Sequence, residues 1–174
     1  MRSARKLTGI VAVVILCFFS TIIATAGTLP SYTELCNRLV NINGWQAEDC
    51  DGMNMSGSGM SMVSSTRTYT SGDKRVEVVV ACGTATAGYW APFQSGITVE
   101  SKEQVVKTEE IDSYRVGIAF EKQNNSGSIV ILLDKGGETP MKPILVGSFE
   151  NMHWEDALEF LKQFDWDDLA KAFK

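Results

Sequence analysis

Short polar turn signals cut residues 62–150 into β-rich runs that stand too close together for crossover connections. Ser71-Gly72-Asp73, Asp112-Ser113 and Asn124-Asn125-Ser126-Gly127 are such signals, and residues 134–143 form a longer loop with Gly136-Gly137 and two prolines. Between them lie predicted strands over 62–70, 74–82, 97–101, 104–111, 114–122, 128–133 and 144–150, rich in Val, Ile, Thr and aromatic residues. Parallel neighbours need a connection of a dozen residues or more, so these runs pair antiparallel. Val76, Val78 and Val80 alternate onto one face of the second run, which makes 62–82 a β-hairpin.

Helical spacing appears only at the two ends. Ser31 followed by Glu34 is a capping-box pattern, and Tyr32, Leu35, Cys36 and Leu39 fall on one helical face up to a stop at Asn43-Gly44. Trp154, Ala157, Leu158, Leu161 and Phe164 form an apolar stripe near the other end, with Asn151 as its predicted cap. Asp165 is predicted to cap a second short helix from Trp166 to Phe173, and the acids Asp165, Asp167 and Asp168 suit its first turn. Residues 83–96 read as an irregular or one-turn helical excursion that lays Tyr89, Trp90 and Phe93 against something. The predicted architecture is a single α+β domain over 27–174: one antiparallel sheet of about seven strands, with an N-terminal helix and C-terminal helices packed on one face.

Residues 1–26 carry a different message. Arg2, Arg5 and Lys6 precede an apolar stretch, and Ala24-Thr25-Ala26 ends it with small residues, the three-part pattern of a secretory signal cleaved after Ala26. The competing reading is an uncleaved membrane anchor, for which the apolar core is short. Cys17 follows Leu16, where a lipoprotein signal wants a small residue. Removing 1–26 takes away three cations from a chain whose formal net charge is already −5. Such a chain repels nucleic acid and anionic lipid surfaces. No later stretch is long and apolar enough to span a bilayer as a helix. The protein is therefore expected to be periplasmic or secreted.

Export places the remaining cysteines in an oxidising compartment. Cys36 and Cys50 flank the Asn43-Gly44 turn, and a disulfide between them is the predicted pairing of the three that Cys36, Cys50 and Cys82 allow. Cys82 ends a valine-rich strand and reads as a buried thiol.

The candidate chemistry is sparse. Residues 51–61 are rich in Gly, Ser and Met and read as a flexible loop. Met53, Met55, Met60 and Met62 form two Met-x-Met pairs around it, and thioether sulfur is a soft ligand that suits Cu(I) or Ag(I). The competing reading makes them core or edge packing. Tyr89-Trp90-Ala91-Pro92-Phe93 reads as core, or else as a lid over an apolar cavity with Trp90 at its mouth. His153 is the only histidine, and it reads as a surface residue at a helix entry. No nucleophile elbow or phosphate-binding loop is present, and no cofactor is implied.

The hairpin residues Arg67, Tyr69, Gly72 and Asp73 follow a Gly44-Trp45 start and the Gly/Met-rich segment. With the tail residues Met152, Trp154, Ala157, Leu158, Phe164, Asp165 and Trp166, they resemble small exported bacterial α+β proteins of uncharacterised function. That resemblance implies an exported α+β domain and carries over no catalytic or binding residue. The sequence thus points to a non-catalytic binding or envelope-support protein with an unidentified ligand or envelope partner. The alternatives are a soft-metal accessory protein and a carrier of a small apolar ligand.

Overall fold

The computed structural model describes residues 29–57, 60–136 and 142–174. The predicted signal segment 1–26 lies outside the described residues. The elements are α1 (Tyr32–Cys36), β1 (Gln46–Ala47), β2 (Asp51–Gly57), β3 (Met60–Ser71), β4 (Lys74–Gly83), α2 (Ala87–Trp90), β5 (Val99–Glu100), β6 (Gln104–Ile111), β7 (Tyr114–Glu121), β8 (Ser126–Leu132), β9 (Ile144–Glu150), α3 (Trp154–Leu161) and α4 (Trp166–Lys171). Single 3₁₀ turns at Thr84–Thr86 and Ala91–Phe93 flank α2.

The described strands form one antiparallel sheet in the order β1-β3-β4-β9-β8-β7-β6-β5, with β2 also on β3. The sheet has nine strands among the described residues where about seven were expected. The additions are β1 and β2, both paired with β3. Strand β2 overturns the expectation of a flexible loop over 51–61. Its Gly and Ser content hides a strict alternation, in which Met53 and Met55 are interleaved with Gly52, Asn54 and Ser56. Local bonds hold it in place. The Tyr32 N–H donates to Asn54 Oδ1 at 2.7 Å, and Asn54 Nδ2 donates to the Pro30 carbonyl at 2.9 Å. A side chain at Gly52 would not fit, since its β-carbon would lie 2.9 Å from Tyr32 Cβ. The Cys36–Cys50 disulfide joins α1 to the residue before β2.

Helix α1 is shorter than expected. Ser31 caps it by accepting from the Glu34 N–H at 3.1 Å, but it ends at Cys36 instead of running to Asn43. Tight bonds from Arg38 N–H to Leu35 O and from Leu39 N–H to Cys36 O close its last turn. Asn151 does not cap α3. It takes a left-handed backbone (φ 58°) and donates from Nδ2 to the Asp73 carbonyl at 2.7 Å, while His153 is the extended residue at the helix entry. Asp165 caps α4 as expected, accepting from the Asp168 N–H at 2.9 Å.

One face of the sheet carries the larger core. Val76, Val78 and Val80 of β4, Val116 and Ile118 of β7, and Ile129 and Ile131 of β8 pack there with Leu35 of α1 and with Leu158, Leu161 and Leu169 of the C-terminal helices. Gly147 on β9 lets α3 approach, since a β-carbon there would lie 2.7 Å from Leu161 Cδ1. The other face is not left to solvent, contrary to the one-sided packing expected. Trp90 and Phe93 cover it, packed with Val79, Ala81, Val130, Leu132, Ile144 and Val146. The runs Val78–Ala81, Ile129–Leu132 and Ile144–Val146 are apolar without alternation because both their faces are buried.

Candidate functional site

Strand pairing places the four candidate methionines together. Residues directly opposite each other in an antiparallel pair share a face, as do residues two apart on one strand. Met55 pairs with Met62, Met53 with Ser64, and Gly57 with Met60. All four thioethers therefore project from one side of the β2–β3 ribbon. Asn54 and Val63 project from the other side, where Asn54 bonds the chain at Pro30 and Tyr32, and Val63 enters the main core.

The methionines are not core. Met53, Met55 and Met60 are 55%, 48% and 51% exposed, and Met62 is half-buried. Directly opposed Cβ atoms stand about 5 Å apart and diagonal ones about 7–8 Å. Met55 and Met62 are thus the central pair. Met53 is diagonal to Met62, and Met60 is diagonal to Met55. A methionine side chain turns about three bonds, so three sulfurs can converge on one ion without movement of the ribbon.

Other ligand types lie elsewhere. Cys82 pairs with Val63 and points into the main core, on the opposite face from the methionines. Burial pushes its thiol up to about 11, against a smaller lowering from a hydrogen bond with the Gly83 backbone, so it stays protonated at neutral pH. His153 packs against Phe120 on that opposite face too, with Nδ1 3.5 Å from Glu155 Oε2. Among the described residues, no group of three or more His, Cys, Asp and Glu could hold a metal. The acids near α4 have structural partners: Asp165 caps the helix, Asp168 pairs with Arg38, and Asp167 accepts from the Tyr114 hydroxyl at 2.6 Å and from Lys135 at 2.8 Å.

Arg67 and Tyr69 also have structural work. Arg67 donates from Nε to the Glu48 carbonyl at 2.8 Å, from one terminal nitrogen to the Leu39 carbonyl and from the other to Asn41 Oδ1 at 2.8 Å. The Tyr69 hydroxyl donates to the Val40 carbonyl at 2.9 Å. Together they hold the chain between α1 and β1 against the sheet. Gly72, in a left-handed backbone, and Asp73 make the hairpin turn.

The face that carries the methionines also holds a cavity. Met53, Ser64, Ala81, Ile144, Leu132 and Arg115 form one continuous register row from β2 to β7. Ile144, Leu132 and Arg115 of that row border a cavity of about 380 Å³, together with Trp90, Thr86, Ala87, Gln94 and Lys142. The Thr86 hydroxyl lies 2.8 Å from the Gly83 carbonyl and 3.0 Å from the Lys142 carbonyl, which ties the cavity's two flanking segments together. Trp90 and Phe93 are core, in line with one of the two sequence readings, whereas Tyr89 is 45% exposed. The cavity beside Trp90 is not the purely apolar chamber of the other reading, because Arg115 and Lys142 border it. Its residues come from four separate segments, and only the strand register brings them together, so sequence pattern held no signal for it.

No protein-family model, curated protein or solved structure matches this chain. No helix among the described residues is long and apolar enough to cross a membrane.

Proposed function

We propose that the chain is an exported, non-catalytic binding protein whose ligand is a soft monovalent cation, Cu(I) or Ag(I), held on the methionine face of the β2–β3 ribbon. The observation that carries this reading is the placement of four thioethers, three of them about half exposed, on one side of the β2–β3 ribbon. Neutral, soft thioethers favour Cu(I) and Ag(I) over hard divalent ions, and they do not have to lose a proton to bind. The acidic balance of the chain attracts cations in general. The disulfide fits an oxidising compartment.

Native mass spectrometry tests this under anaerobic conditions, with one equivalent of Cu(I) and, separately, of Ag(I). One stoichiometric adduct is expected. Met55→Ile or Met62→Ile should weaken it at least tenfold, because each removes half of the central pair. Met53→Ile or Met60→Ile should weaken it only a few-fold. Isoleucine favours strands, so the ribbon should survive each change. An adduct of equal strength in the fourfold Ile variant would sink the proposal.

A further inference from the structure

The cavity on the same sheet face supports a second, independent binding activity. Leu132 and Ile144 lie beneath it and are closed to solvent, so the apolar surface open to a ligand is an edge of Trp90 together with exposed Ala87. Two cations stand at its border. The Arg115 guanidinium carbon is 5.6 Å from the centre of the Trp90 ring. Glu110 faces Arg115 across β6 and β7, yet Arg115 makes no ion pair among the described residues, and neither does Lys142. Among the described residues no carboxylate lines the cavity, although the chain as a whole is acidic. Two cations that make no ion pair among the described residues, beside a concave surface with low-dielectric walls, favour an anion there.

The volume of about 380 Å³ is at the small end of ligand sites and suits a compact organic molecule. The arrangement specifies both ends of that molecule. A flat apolar body can rest on the open edge of Trp90 beside Ala87. An anionic head can then take paired hydrogen bonds from the planar guanidinium of Arg115, with Lys142 as a second charge. We propose that this cavity binds small aromatic carboxylates. The ribbon methionines take no part, so this site stands or falls apart from the metal-binding reading.

Fluorine NMR with 4-fluorocinnamate as the probe tests it on the metal-free protein. The neutral isostere 4-fluorocinnamamide and the non-aromatic cyclohexanecarboxylate serve as comparisons. Saturable binding of 4-fluorocinnamate is expected, at least tenfold tighter than the amide and tighter than cyclohexanecarboxylate. The Trp90 indole N–H cross-peak should shift on titration with the acid. Arg115→Gln, at an exposed position that should not disturb folding, should weaken the acid at least tenfold and leave the amide unchanged. Lys142→Gln should weaken it a few-fold, and raised salt should do the same. Equal affinity for acid and amide, an unshifted Trp90 signal, or no saturation by millimolar probe would each overturn the proposal.

Discussion

The Phe93 ring lies directly over the α-carbon of Gly117. A β-carbon on Gly117 would overlap three carbons of that ring. Phe93 packs on this face beside Trp90, with ring centres 5.5 Å apart. The bare backbone at one position of β7 therefore seats the short helical excursion that walls the cavity. Gly117→Ala should displace Phe93 and cost roughly 1–3 kcal/mol, as overpacking does in well-packed cores. Urea unfolding would measure the loss. Weakened 4-fluorocinnamate binding in the folded variant would show that the displaced ring carries Trp90 with it.

The Cys36–Cys50 bond closes a loop with a sequence separation of 14. Its removal in the Cys36→Ala/Cys50→Ala variant should cost about 3 kcal/mol, the chain-entropy value for a loop of that length. A lowered urea midpoint at unchanged slope would match. An unchanged midpoint would mean that the bond stabilises nothing.

Arg67 serves three acceptors with one planar group. Lysine has a single ammonium and cannot reach all three. Arg67→Lys should destabilise by roughly 2–3 kcal/mol despite keeping the charge. Hydrogen exchange should speed up first in residues 39–48, which the guanidinium holds.

Alkali should unfold the protein through groups that keep their protons in the native state. Burial raises Cys82 from 9.0 to about 11. Burial also raises Tyr69 above 10.0, against a smaller lowering by Arg67. Burial, the hydrogen bond to Asp167 and the nearby carboxylate charges raise Tyr114 further still. The unfolded chain gives up these protons first. The stability they contribute is whole below about pH 9 and is lost as pH rises through the unfolded values toward the native ones. Thermal melts from pH 7 to pH 11 should show the midpoint falling above about pH 9, and Cys82→Ala should flatten the first part of that fall. Iodoacetamide at pH 8 should leave native Cys82 unmodified.

Much of the fold was legible in the sequence wherever one local rule governed. Strands over 104–111 and 144–150 end where the turn chemistry around them said they would. The Asp165 cap and the cysteine pairing were readable for the same reason, since each rests on a few neighbouring residues. Other elements depend on partners remote in the chain. Strand β2 was hidden because its serine and glycine content resembles a linker, and only the ladder with β3 and the Asn54 bonds reveal its alternation. The continuous apolar runs of β4, β8 and β9 were read as packed on one face only, because the cover of the second face is visible only once Trp90 and Phe93 are placed. Of the candidate residues, Met53, Met55, Met60 and Met62 were recognisable by type, whereas their common face was not. Arg115 and Lys142 carry no local signature at all.

A slip of one residue between β2 and β3 would turn Met53 and Met55 to the far side of the ribbon and divide the four sulfurs two and two. Cys50 stands immediately before Asp51, the first residue of β2, and is bonded to the last residue of α1. The disulfide thus anchors the entry to the ribbon on α1, beside the Asn54 bonds. Reducing it would remove one of the ribbon's ties to α1 and leave the Asn54 bonds and the ladder with β3 to hold the register that keeps the four sulfurs on one side.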